Sequence, residues 1–360
     1  LLRGTRQRSG FALARAAEEL GGRLSAYSRP SAESVAIEVP AAEVEPAIRL
    51  AAETLLAPRL AESDLSKEKT LLIGSLATAH DQPNTLFEDE LYRTLFTSHR
   101  LSRLASLTSE QVRAVTIADV RAFQRSRLDA ARLALIVVGR AAPERVRALA
   151  SELFGAIPAA LPPPRPFAVA SIHPPPRLSA ELERRVRKRT TQPTIALALP
   201  TEGVPDSDAP AFAMVQHVLT GFDERLYTEI REKRGYAYWI RADGLELPSA
   251  GAFAISTGAK EKYFGEIERI LRSELARIAN EPVSAEEMRR ALRYLETEEA
   301  RRDETNTGRI GVIANALVDG APLRTYEERV ARLTAVEPGQ IQALARRLFA
   351  GRHMAVIKLY

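Results

Sequence analysis

Apolar residues recur every third or fourth position over long stretches of this chain and alternate with polar ones over short stretches, and the two periods separate helices from strands. The helical period predicts helices over residues 10–21, 41–56, 64–79, 84–97, 109–127 and 142–154, then over 208–234, 260–279, 284–303, 306–318, 325–332 and 337–349. Alternation rich in β-branched and aromatic residues predicts strands at 34–39, 132–138, 193–199, 236–244, 251–257 and 353–359. Helices sit between strands instead of following a run of them. Each half therefore reads as α+β, a sheet with helices packed on one face.

A boundary divides these elements almost equally. The stretch IPAALPPPRPFAVASIHPPPR, residues 157–177, is too dense in proline to sustain a helix or a central strand, and favours an extended, semi-rigid connector. The organisation expected is a first domain over residues 1–160, a linker over 161–177 and a second domain over 178–360. The halves also echo each other. Residues 114–138 match residues 335–359 through a helix and a following strand, with Val115 opposite Val336, Val120 opposite Ile341 and Phe123 opposite Leu344. Two longer helices, DLSKEKTLLIGSL at 64–76 and PVSAEEMRRALRYL at 282–295, each open on a serine with glutamate close behind, a capping pattern. Duplication accounts for both.

Composition narrows the class. A length of 360 residues exceeds one ordinary core and fits two domains of roughly 150 to 180 residues each. With 45% hydrophobic and 27% charged residues the chain reads as soluble and globular, and no apolar run approaches the roughly 20 residues that cross a bilayer. The 51 basic and 46 acidic residues are interleaved, giving a formal charge of +5 without a concentrated basic patch or interspersed aromatics, so no nucleic acid partner is expected. RRVRKR at 184–189 reads as a solvated edge or a domain contact. The absence of cysteine removes disulfides, thiol nucleophiles and cysteine-ligated zinc together. The opening LLRGTRQRSG has no initiator methionine and reads as the tail of a helix followed by a turn, which leads to the expectation of a preceding segment.

The most informative stretch is FDERLYTEIREKRGYAYWI, residues 222–240, where a charged helix stops at Gly235 and turns into an aromatic strand. Arg231 falls in the last helical turn and Tyr238 at the strand start, seven residues on, where a guanidinium and a phenol could converge on one substrate carbonyl. Each has an ordinary explanation as well. Arginine in a last turn is favoured by the helix dipole, and strand tyrosines are most often packing residues.

The wording of that segment closely resembles LREKRGLAYSV in the second domain of pitrilysin/insulinase-type zinc peptidases, the group that includes mitochondrial processing peptidase. The resemblance implies two homologous domains facing one another across a cavity, each a mainly antiparallel sheet with helices on one face, of the processing-peptidase/LuxS-like metallohydrolase type. Catalytic members carry an inverted His-x-x-Glu-His zinc motif on a helix and a third ligand, a glutamate, on a later helix. The five histidines, His80, His99, His173, His217 and His353, show no pair at that spacing, and aligning LLRGT with the family's LFKGT places the motif before residue 1. KEKTLLIGSLATAHDQP at 67–83 matches KEREVVLEEIRMYEDDP and puts Ser75 where the ligand glutamate stands. A neutral hydroxyl is a poor substitute for a carboxylate on Zn2+. His99 corresponds to a structural family histidine, His80 reads as a solvated helix end, and His217 as a core or cavity-lining residue. Gly221 is the remnant of a glycine-rich stretch.

The resemblance thus implies a subunit with no zinc site of its own, whose Arg231 and Tyr238 match the pair that a zinc-free partner supplies to the zinc-bearing homologue. The function expected is the non-zinc half of a heterodimeric metalloendopeptidase, with Zn2+ in the partner, acting on extended peptides or small unfolded proteins held by strand addition to a sheet edge. GAFAISTGA at 251–259 is one candidate strand, with its edge or interior position left open. Two alternatives stand beside it: a homodimeric zinc peptidase with its motif in a preceding segment, and a non-proteolytic core-type assembly protein. The Ala- and Arg-rich composition suggests a high-GC bacterium, where paired members of the family are often exported, so the resemblance implies the periplasm, with the cytoplasm as the alternative.

Overall fold

The structure is a computed structural model that describes residues 1–29, 32–79, 82–159, 173–187 and 192–360. Most of the expected linker, residues 161–172, and His80 lie outside the described residues. In chain order the elements are α1 (Gly10–Glu19), β1 (Arg23–Ser28), β2 (Glu33–Glu38), α2 (Val44–Leu56), α3 (Glu62–Ala79), α4 (Pro83–Leu95), α5 (Ser109–Ala114), α6 (Ile117–Arg127), α7 (Pro143–Phe154), β3 (Leu182–Val186) and β4 (Thr194–Thr201). They continue as α8 (Ala209–Thr220), β5 (Ala237–Glu246), β6 (Gly251–Ala259), α9 (Phe264–Asn280), α10 (Ala285–Glu304), α11 (Asn306–Asp319), α12 (Tyr326–Thr334), α13 (Pro338–Phe349) and β7 (Ala355–Leu359). No helix among the described residues is long and apolar enough to cross a membrane.

Where periodicity and structure differ, local chemistry explains the difference. The helix expected over 109–127 breaks into α5 and α6 because Thr116 turns extended and caps α6, its hydroxyl accepting from Asp119 N–H while the Asp119 carboxylate accepts from Thr116 N–H. The duplicated serines are unequal. Ser284 accepts from Glu287 N–H and opens α10, whereas Ser66 lies inside α3, which begins at Glu62. Strands β1 and β3, RLSAYS and LERRV, escaped the pattern because alternation runs for just four residues in the first and is absent from the second. The strand expected at 132–138 has no ladder partner among the described residues, although its duplicate at 355–359 is β7. An extended run becomes a strand only where a neighbour meets its backbone groups.

The chain forms two compact units. One comprises residues 1–76, 107–168 and 305–322. Here β1 and β2 pair antiparallel, from Arg23 opposite Glu38 to Ser28 opposite Glu33. The small core of this unit gathers Leu13 and Ala17 of α1, Leu24 of β1 and Leu50 of α2. Helices α2 and α7 are tied along their exposed flanks by Arg49 to Glu152 at 2.6 Å and Arg145 to Glu45 at 2.7 Å.

The other unit, residues 77–106, 169–304 and 323–360, is built on a five-stranded sheet in the order β3-β7-β4-β6-β5. Every pairing is antiparallel except β3 with β7. β4, β6 and β7 are buried along their whole length; bulky and small side chains alternate along β4 and β6, while β7 adds Ile357 and Leu359 to the face that carries the alanines. Ile195, Leu197, Leu199, Phe253, Ile255 and Val356 face the layer of α8, α9 and α13, the expected helical face. The opposite face carries Ala196, Ala198, Ala252, Ala254 and Ala355, and receives Leu86, Phe87, Leu91 and Leu95 of α4. Small residues let the α4 backbone approach the sheet, and its large side chains fill the space the alanines leave. The RRVRKR run belongs to the sheet's β3 edge as far as Arg187, with Arg184 bonded to the buried Glu90 of α4 at 2.8 Å.

Truncating Phe87 to alanine opens a cavity in this layer and is expected to cost about 3–5 kcal/mol. Ala254→Leu overfills the same layer, at about 1–3 kcal/mol. A lowered thermal midpoint for both, by calorimetry, checks the two-sided packing; an unchanged midpoint for Phe87→Ala would refute it.

Candidate functional site

The segment after α8 is fastened before it turns. Gly221 follows the helix so tightly that an added Cβ would lie 2.6 Å from the His217 ring. Glu224, 1% exposed, then takes a two-bond contact from Arg290 of α10 at 2.8 and 2.9 Å, and Arg225 donates to Glu287 at 2.6 and 3.2 Å. Two consecutive charged residues thereby lock the loop to α10. Burial opposes ionisation of Glu287, but hydrogen bonds from Arg225 and from the N–H and hydroxyl of Ser284 outweigh it and hold the carboxyl down at about 2.

A π-helical turn, Tyr227–Glu232, continues from this anchor. Its wider winding is visible in Lys233 N–H bonded to the Thr228 carbonyl, five residues back, at 3.0 Å. Such turns are rare and cluster at functional sites. Gly235 ends it at φ +64°, a left-handed conformation that costs other residues about 1–2 kcal/mol. The chain then enters β5, where a register shift between Ala237 and Ile240 leaves a bulge at Tyr238 and Trp239. Bulges re-aim side chains and are common beside active sites.

The two features bring Arg231 and Tyr238 together at one backbone turn. The Arg231 guanidinium donates to the Tyr238 carbonyl at 3.2 Å and lies 4.7 Å from the centre of the Tyr227 ring, whose other neighbour is Phe222 at 4.6 Å. The Tyr238 side chain is 80% exposed and its hydroxyl has no hydrogen-bond partner among the described residues. Tyr236, by contrast, is occupied. Its ring stacks on Tyr263 at 4.0 Å and its hydroxyl donates to Glu266 at 2.7 Å. The position left open for 251–259 is that of β6, an interior strand, and β5, which carries Tyr238 near its start, is one of the two end strands of the sheet. Phe222 and Tyr227, the rings beneath Arg231, were missed by sequence reasoning, although the four-residue spacing of Tyr227 and Arg231 is a readable signal.

Ser75 lies exposed on α3 and donates its hydroxyl to the Leu72 carbonyl at 2.9 Å. Its proton is committed to its own helix and its oxygen carries no charge, so this position does not fit a zinc ligand. No three histidine, aspartate or glutamate side chains among the described residues lie close enough to hold a metal. His99 bridges the Leu101 N–H at 3.3 Å and the His173 carbonyl at 2.9 Å. His217 lines a cleft with its ring stacked on Tyr294 at 4.3 Å, and burial lowers its proton affinity further than Glu224 can restore it.

Comparison with known proteins agrees with this architecture. The insulinase (peptidase family M16) description matches residues 1–108, and that of the peptidase M16 inactive domain matches residues 114–295. The chain belongs to the M16, or insulinase, family. An uncharacterized zinc protease of Streptomyces coelicolor is 25% identical over 98% of this chain and 77% of its own length, and one of Mycobacterium tuberculosis is 22% identical over 99% and 81%. Among solved structures, a peptidase M16 inactive domain from Pseudomonas fluorescens superposes with a TM-score of 0.86 at 20% identity, over 99% of this chain and 85% of that one. The periplasmic protease PqqL of Escherichia coli gives 0.78 at 16% identity, over 99% of this chain and 39% of that one.

The depressed Glu287 carboxyl makes the anchor sensitive to acid. A group bound more tightly as its anion stabilises the fold above the unfolded value near 4.5, and this contribution is lost as pH falls through about 2. Glu287→Gln is expected to lower stability at neutral pH and to flatten its decline between pH 4.5 and 2, read by denaturant titrations across that range. An equally steep decline in the variant would contradict this role.

Proposed function

We propose that this chain is the non-zinc subunit of a heterodimeric metalloendopeptidase, in which Arg231 and Tyr238 act on the peptide carbonyl that a zinc-bearing homologue cleaves. The observation that carries the reading is the pair itself: an exposed phenol on a bulge at the start of the outermost strand, with a guanidinium bonded to that residue's own carbonyl. Attack on a peptide carbonyl builds negative charge on oxygen, and a donor already in place lowers the barrier without reorganising. A phenol free of internal partners is available for this, and the guanidinium, held by the Tyr227 ring, adds positive charge at the same turn. The free edge of β5 offers backbone groups to an extended peptide, which suits unstructured peptides or small unfolded proteins. Ser75 supports placing the Zn2+ in the partner.

Hydrolysis of an unstructured peptide and zinc content, measured for this chain alone, for the homologue alone and for the mixture, test the proposal. Activity and zinc are expected only where the homologue is present, with turnover needing the mixture. Tyr238→Phe and Arg231→Gln should each lower the mixture's turnover about 10²–10³-fold while leaving the fold intact. Zinc-dependent hydrolysis by this chain alone would refute the assignment, as would full activity in both variants. A periplasmic location belongs to the same proposal, supported by composition and by the periplasmic neighbour; recovery of the protein in the cytoplasmic fraction of cells would remove it.

A further inference from the structure

Between α8 and α10 lies an open cleft of about 330 Å³. One wall is a continuous face of α10, with Arg290, Arg293, Tyr294, Thr297 and Arg301 at helical spacing, and the other comes from His217 and Phe222. Its floor is aromatic: the His217 and Tyr294 rings are stacked 4.3 Å apart and only 19° from parallel. Its charges are unevenly spent. Arg290 is committed to Glu224 and to Glu286 at 3.0 Å, and Arg301 to Glu298 at 2.6 Å. Arg293 is exposed and has no carboxylate partner among the described residues. With Glu224 and Glu298 each neutralised by an arginine, and burial favouring the uncharged form of His217, one uncompensated guanidinium faces an aromatic floor.

We propose that this cleft binds a carboxylate of an extended peptide, its C-terminal group or an acidic side chain, on Arg293, with a neighbouring apolar side chain laid on the His217–Tyr294 stack. A guanidinium presents paired donors matched to a carboxylate, and a flat ring pair accepts an aliphatic or aromatic side chain beside it. The cleft is also tied by packing to the Arg231 turn. Phe222 lines it, and its ring lies against Tyr227, the ring on which Arg231 rests. A single wall of Phe222 and Tyr227 thus stands between the cleft and that turn. That the carboxylate belongs to a peptide rests on the function proposed above; that the cleft takes a carboxylate does not.

Calorimetric titration of the isolated full chain separates the two ideas, since it needs neither partner nor zinc. Three ten-residue peptides of Gly and Ser serve as probes: one ending in phenylalanine with a free carboxylate, the same peptide amidated, and an amidated peptide with an internal Glu-Phe pair. The free-acid or the Glu-Phe peptide is expected to bind at least about tenfold more tightly than the amide without glutamate, the loss of one charge-assisted contact. Tighter binding of the first identifies the terminus, and of the second the side chain. Arg293→Gln should remove that advantage, and Tyr294→Ala should weaken all three peptides whatever their charge. Equal binding of all three probes, no binding of any, or an advantage that survives Arg293→Gln would overturn the proposal, while failure of the mixed-subunit peptidase assay would leave it standing.

Discussion

The sheet of the larger unit has to be covered on both faces, and most of its architecture answers that requirement. β4, β6 and β7 are buried from end to end, so neither face can be left to water without exposing a row of apolar side chains. The sequence meets this by alternating sizes. In β4 and β6 the bulky residues meet α8, α9 and α13 and the alanines admit α4 at close range, while Ile357 and Leu359 of β7 pack on the α4 side. Since α4 precedes β3 by a long stretch of chain, the core of this unit is assembled from segments distant in sequence. Such contacts are costly to form and cooperative once formed.

This covered sheet gives the candidate site a rigid base. β5 is bonded on one side to β6 and has no strand on the other among the described residues, and its bulge carries the exposed Tyr238. Arg231 reaches the same turn from the opposite direction, through a π-helical turn fastened to α10 by Glu224 and Arg225. Anchor, turn and bulge each add one constraint, and their meeting at one carbonyl needs no long flexible loop. The open cleft along α10 grows from the same anchor, because the residues that hold the loop also form its rim.

The smaller unit is organised differently. Among the described residues its main core gathers four side chains and two strands pair, and Leu71 and Leu72 on α3 are exposed. The duplicate of its residues 132–138 is the buried strand β7, which has a neighbour on each side. Equal sequence patterns thus have unequal outcomes in the two halves, since backbone pairing is decided by what lies alongside.

Much of the fold was legible in the chain because periodicity reports burial directly: the boundaries of α2, α7, α10 and α13, and those of β4, β6 and β7, fall within a few residues of the apolar pattern. The residues to be weighed for a site were legible too, since REKRG and the tyrosines after it are local wording. What tertiary structure decided was partnership. That α4 crosses to the second sheet, that β5 and not β6 is the edge, that Tyr236 is packed while Tyr238 stands free, and that Arg293 faces a cleft without a counter-charge all depend on which distant groups come within a few ångströms. A hydrophobic period fixes which side of an element is buried, but the buried face does not say against what, and hydrogen bonds and ion pairs are spent only once the neighbours are in place.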